Sequence, residues 1–171
     1  MERARLAVLD IDGVLADVRH RLHHVARRPK DWSAFFAAAP QDPPLAEGVA
    51  MARRLADDGM AVVYLTGRPE RCRADTLDWL RRHDLPEGPL HMRPDRDRRP
   101  ARVTKREVLR RLRRDCDVAV VVDDDAAVVD LLRADGFTVV HATWMDGGTD
   151  GVDGSPVQRA LFDVQERDGR S

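Results

Sequence analysis

Five short apolar runs recur along the chain, and each opens into polar residues at its end: Arg5–Leu9, Ala61–Leu65, Pro89–Met92, Val118–Val122 and Phe137–His141. Their length, β-branched content and flanking Gly or Pro residues predict buried strands. Between the runs the apolar period changes to that of a helix. Leu45, Val49, Ala52 and Leu55 share one stripe, which Gly59 closes. After Pro69, a residue suited to a first helical turn, a second helix turns Leu77 and Leu80 inward and closes near His83. A third starts at Thr104 or in the loop before it and carries Val108, Leu109 and Leu112; a fourth carries Val128, Val129, Leu131 and Leu132 and stops at Gly136. Strands alternating with helices of this length predict an α/β fold with a parallel sheet and right-handed crossovers.

Two stretches break the alternation. Residues 16–30 are polar, basic and histidine-rich and read as a loop leaving the first strand; Asp31 then caps a short helix holding Trp32, Phe35 and Phe36. Pro40 to Pro44 end this insertion, so 16–44 forms a small flap, too short for a lid domain. Residues 146–155 are rich in Gly and Asp, but lack the spacing and closing glutamate of a calcium loop. They read as a flexible connector to a short amphipathic helix with Val157, Leu161 and Val164, suited to docking on the core or on a second copy of the chain. The expected division is therefore 1–145 for the main domain and 146–171 for the connector and terminal helix.

Candidate chemistry gathers where the strands end. Asp10, Thr66 and Asp123 each follow an apolar strand, and ligands of parallel sheets sit beyond such carboxyl ends. Asp10 and Asp12 are two residues apart, so strand geometry points both carboxylates the same way. Two anions that close need a cation or a shared proton. Asp123, Asp124 and Asp125 supply further carboxylates, of which Asp125 is suited to plain helix capping, and Lys105 stands at a helix start. Paired acids are hard oxygen ligands for Mg²⁺. A Thr hydroxyl, the N–H groups after it and a Lys ammonium can balance the equatorial oxygens of a transferred phosphoryl group.

Composition narrows the setting. Charged residues are 35% of the 171, yet the formal net charge is −1, so no global field marks a membrane or nucleic-acid binder. Lys30 and Lys105 are the only lysines, which makes Lys105 conspicuous. Cys72 and Cys116 are the only cysteines and suggest a reducing compartment rather than a disulfide framework. No apolar run approaches the ~20 residues needed to cross a bilayer, and a cytoplasmic location is expected.

Taken in order, Asp10-x-Asp12-Gly-Val, Leu65-Thr66-Gly67-Arg68, Lys105 and Val-Val-Asp123-Asp124-Asp125 resemble the four motifs of the haloacid dehalogenase (HAD) superfamily of phosphatases, over residues 5 to about 142. The resemblance implies a three-layer α/β/α sandwich around a five-stranded Rossmann-like sheet. It makes Asp10 the nucleophile and Asp12 the general acid and then base. Mg²⁺ would be held by Asp10, the Asp12 backbone carbonyl and Asp123, with Asp124 acting through water or orienting Lys105. Thr66, Gly67 and Lys105 would bind the substrate phosphate.

A narrower resemblance is to the 3'-phosphatase domain of phage polynucleotide kinase/phosphatase. It rests on Arg21 eleven residues after the nucleophile, Arg68 after Thr-Gly, and Leu90-His91-Met92-Arg93-Pro94 ahead of the lysine. It implies that Arg21 and Arg68 grip substrate phosphate and that the substrate is the 3' end of DNA or RNA. The chain departs from that pattern at Ala101, where an acidic residue is expected four positions before the lysine, and it has no G-x-x-x-x-G-K-[ST] for a kinase half. Two alternatives stand beside it: a phosphatase of small nucleotides or sugar phosphates, and a non-hydrolytic receiver-like phosphoacceptor. The second places its acceptor Asp mid-chain, unlike the leading D-x-D here.

Overall fold

A computed structural model describes residues 2–146; the Gly/Asp-rich connector and the C-terminal helix expected after it lie outside the described residues. Five strands form one parallel sheet: β1 (Arg5–Leu9), β2 (Ala61–Pro69), β3 (Leu90–Arg93), β4 (Asp117–Asp123) and β5 (Val139–His141), in the order β3-β2-β1-β4-β5. The order reverses beside β1, which lies between β2 and β4. That switch point is where parallel sheets open a crevice for ligands.

Alternation along the strands supplies two apolar faces. Ala7, Leu9, Val62, Tyr64, Val120 and Val122 face one layer, formed by α3 (Ala46–Asp57) and α4 (Arg73–Arg82). Leu6, Val8, Val63, Leu65, Val121 and Val139 face the other, formed by α5 (Ala101–Asp115) and α6 (Ala126–Ala134). The result is the expected three-layer sandwich. Gly48 lets α3 close onto the turn after β1, because a Cβ there would stand 1.8 Å from the Val14 carbonyl oxygen.

Several boundaries differ from the sequence reading. Residues 16–30 are not all loop: a 3-10 turn at Arg19–Arg21 leads into α1 (His23–Ala26). With α2 (Trp32–Ala37), capped by Asp31 Oδ1 accepting from the Ala34 N–H at 2.9 Å, this segment packs Val18, Leu22, Val25, Phe35 and Phe36 into a third apolar cluster. Pro69 ends β2 instead of starting a helix; a 3-10 turn follows it, and α4 begins at Arg73. Leu77 is not turned inward but is 41% exposed. The buried stripe of α4 is Thr76, Trp79 and Leu80, because Trp79 carries more apolar area than Leu77 and takes the inward face. α5 starts at Ala101, three residues before Thr104, and β5 starts at Val139, two after Phe137. Among the described residues no helix is long and apolar enough to cross a membrane.

Candidate active site

The site grows from the turn that ends β1. The Asp10 N–H continues the ladder to the Val122 carbonyl at 3.0 Å, and its Oδ1 accepts from the Ile11 N–H at 2.8 Å. The N–H groups of Val14, Leu15 and Ala16 then converge on the Ile11 carbonyl at 3.2, 2.8 and 3.0 Å, which coils the chain tightly. Gly13 makes that coil feasible. Its φ is +78°, and a Cβ there would lie 2.0 Å from Asp124 Oδ2. The D-x-D-G sequence thus seats the first acid pair against the second.

Lys105 lies across the first pair and β4. Its Nζ is 2.9 Å from Asp10 Oδ2 and 2.7 Å from Asp123 Oδ2, and it is 3% exposed. Burial opposes its charge, but the two carboxylates outweigh burial and raise its pKa. Lys105 therefore keeps two acidic partners although position 101 is Ala. Asp123 Oδ1 accepts from the Asp125 N–H at 3.0 Å, and Asp125 caps α6 through the Ala127 and Val128 N–H groups. That agrees with a plain capping role for Asp125.

Asp10, Asp123 and Asp124 each bring a buried carboxylate oxygen within 4.8 Å of the other two. One ammonium does not balance three such anions. Burial, with the Asp123 and Asp12 charges, raises Asp10 to about 7 despite Lys105, and burial with the Asp10 and Asp123 charges raises Asp124 well above the usual carboxylate range. A compact, all-oxygen, over-acidic donor set fits a hard divalent cation such as Mg²⁺.

A second cluster adjoins the first. Arg68 donates to Asp12 Oδ1 from Nε at 3.0 Å and from Nη2 at 2.6 Å, and Arg21 Nη2 donates to the same oxygen at 2.9 Å. Behind them stands Asp42, 2.7 Å from Arg21 Nε, 2.8 Å from Arg21 Nη2 and 3.0 Å from Arg68 Nη2. Arg21 and Arg68 are essentially inaccessible to solvent. Phe35 stacks under Arg21 at 4.2 Å, and Thr76 Oγ1 accepts from Arg68 Nη1 at 3.3 Å. Burial would raise Asp12, but the two guanidinium groups outweigh it and hold the carboxyl at about 2. Asp12 Oδ2 is buried without a hydrogen-bond partner among the described residues.

The structure thus brings Asp10, Asp12, Thr66, Gly67, Arg68, Arg21, Lys105, Asp123 and Asp124 to one end of the sheet. Thr66 Oγ1 accepts from the Arg68 N–H at 3.1 Å, within the last residues of β2. Sequence reasoning missed Asp42, together with the groups that hold it: Trp79 Nε1–H donates to its carbonyl at 2.9 Å, and His20 Nε2 lies 2.6 Å from its Oδ1. The only local signal is an acid framed by Pro40, Pro43 and Pro44 in a stiff segment.

Residues 4–146 match the protein family described as "Polynucleotide kinase PNKP phosphatase domain". The chain belongs to this family. Its sandwich fold is shared with solved phosphatases. One similar structure is that of a Pnkp1/Rnl/Hen1 RNA repair complex, with TM-score 0.69 and 23% identity over 81% of this chain and 42% of that one. Another is the class C acid phosphatase from Bacillus anthracis with tungstate bound, with TM-score 0.59 and 16% identity over 95% and 80% of the two chains. A third is D,D-heptose 1,7-bisphosphate phosphatase from B. bronchiseptica with magnesium and phosphate, with TM-score 0.52 and 19% identity over 93% and 96%. At such identities the likeness is one of fold. The chain spans less than half the length of the Pnkp1 chains it matches. No curated protein matches it.

Proposed function

We propose that this member of the PNKP phosphatase-domain family is a Mg²⁺-dependent polynucleotide 3'-phosphatase working through a phosphoaspartyl intermediate. The observation that carries the reading is the pairing of two clusters: three acids and Lys105 around Asp10, and two guanidinium groups around Asp12. Asp10 Oδ2, drawn to Lys105, is the nucleophile. Asp10, the Asp12 backbone carbonyl and Asp123 would hold the metal, with Asp124 beside them, and the metal would supply charge neutralisation and Lewis-acid polarisation of the phosphoryl oxygens. Thr66, the Gly67 backbone and Lys105 cradle the equatorial oxygens.

Asp12 serves the two halves differently. As long as Arg21 and Arg68 hold it ionised, it is a base ready for the water that hydrolyses the acyl phosphate. To deliver a proton to the leaving 3' oxygen, Asp12 must first take one up from solvent or from the substrate's monoanionic phosphate, which becomes feasible when the phosphate charge offsets the Arg21 and Arg68 guanidinium groups. Sharing those guanidinium groups with the phosphate gives Arg21 and Arg68 their grip on substrate.

Asp10→Asn abolishes turnover under this mechanism while the fold persists; full activity in that variant ends it. A panel of 3'-phosphorylated oligonucleotides, 3'- and 5'-mononucleotides and sugar phosphates, with and without Mg²⁺, tests the substrate. Hydrolysis of sugar phosphates with none of any 3'-phosphate would replace the polynucleotide assignment by the small-metabolite one.

A further inference from the structure

A cleft of about 370 Å³ opens beside the site, between β3, the loop after it and α5. Its size lies within the roughly 300–1,000 Å³ of ligand clefts. Thr66 and Lys105 form its inner end, so it meets the phosphate cradle directly. Its wall is basic. His91 is placed there by strand alternation: Leu90 and Met92 pack on the α3–α4 side, and His91 points to the α5 side. Arg73 and Arg111 reach the same space, one from α4 and one from α5.

The acids of the cleft leave Arg111 without a counter-charge. Glu70 is paired with Arg73 at 2.7 Å, while Asp97 and Glu107 are both paired with Arg99, at 2.8 and 2.6 Å. Arg111 is exposed and makes no ion pair among the described residues. His91 is pushed down by burial and by the Arg111 and Arg73 charges, which favours its uncharged ring. An unpaired guanidinium, with the His91 ring N–H and the Arg73 guanidinium lining the same cleft, favours an anion.

We propose that this cleft is a second phosphate subsite, in which Arg111, with His91 and Arg73, takes the phosphodiester next to the 3'-phosphate under attack. The proposal rests on the polynucleotide reading above and deepens it. The enzyme then recognises a phosphodiester-linked nucleotide, and a nucleoside 3'-monophosphate, lacking that second phosphate, is a poor substrate. Arg111 contributes to binding rather than to the chemical step, so its effect falls on KM.

The test compares a nucleoside 3'-monophosphate, a nucleoside 3',5'-bisphosphate and a dinucleotide 3'-phosphate at fixed salt and Mg²⁺. The expected result is a kcat/KM at least tenfold higher for the two substrates with a second phosphate, arising in KM. Arg111→Ala compresses that ratio to about twofold, and Arg111→Lys restores most of it. A ratio near one in the unaltered protein, or one that Arg111→Ala leaves unchanged, overturns the subsite. If no 3'-phosphate is hydrolysed, the polynucleotide reading fails separately, and the subsite is read by NMR. A dinucleoside monophosphate with a free 3'-hydroxyl then shifts the His91 ring signals in the unaltered protein and not in Arg111→Ala. The absence of any shift overturns the proposal.

Discussion

Asp12 and Asp42 are joined through the same two guanidinium groups: Arg21 Nη2 is 2.9 Å from Asp12 and 2.8 Å from Asp42, and Arg68 Nη2 is 2.6 Å from one and 3.0 Å from the other. The two acids and two arginines are buried and close to neutral as a group. Such a set is rigid only while every member is present. Asp42 lies outside all four strand-end motifs, and the Trp79 indole fixes its backbone.

Asp42→Asn removes one charge from that set and leaves two buried guanidinium groups facing a single carboxylate. Unfolding stability should fall by about 3 kcal/mol, the usual cost of breaking a buried pair. Activity should fall by roughly 10²-fold through misplacement of Arg21 and Arg68. Denaturant unfolding and steady-state kinetics measure the two effects. Unchanged values of both would show that Asp42 does not hold the arginines.

The candidate series was legible because its members sit where apolar runs end. Asp10 and Asp123 stand at the ends of β1 and β4, and Thr66 follows the apolar run of β2, so alternation states which way each side chain points. Asp42 has no such frame. Its arginine partners are 21 and 26 residues away, and neither spacing belongs to a helix or a strand. The inward face of α4 was misread for a related reason. Leu77 and Leu80 on one side, and Thr76, Trp79 and Leu80 on the other, both fit helical spacing, and only packing against β2 chooses between them. The Asp31-capped α2 was legible, but the 3-10 turn at Arg19–Arg21 and α1 escaped because basic residues such as Arg21 are buried by partners that the sequence does not bring near.

Gly13→Ala tests the seat between the two acid pairs. An Ala at φ +78° pays the left-handed penalty of roughly 1–2 kcal/mol. Its Cβ would also displace Asp124, whose Oδ2 lies 2.0 Å from that position. Mg²⁺ affinity, measured by titration calorimetry, should fall about 10- to 100-fold, as when groups supporting a metal site are disturbed. Loss of stability with no loss of affinity would separate Asp124 from the metal.

Proton and metal should compete for the same acids. Asp10 is raised from 3.8 to about 7. Below about pH 4 both the folded and the unfolded chain carry this proton; between 4 and 7 only the folded chain does. The metal-free protein therefore loses stability from this group as pH rises through that window, and above 7 the loss is complete. The raised Asp124 acts in the same direction. His83 and His91, which burial pushes down, act in the opposite direction, but they stand outside the acid cluster and cancel when the same pH is compared with and without metal. Asp12, held at about 2, loses its stabilising charge only below this window. Bound Mg²⁺ must displace the proton, so its apparent affinity should fall about tenfold per pH unit below about 7. The rise in Tm on adding Mg²⁺ should thus be large at pH 8 and nearly absent at pH 5. An Mg²⁺ effect on Tm that is equal at both pH values would mean that Asp10 is not among the ligands.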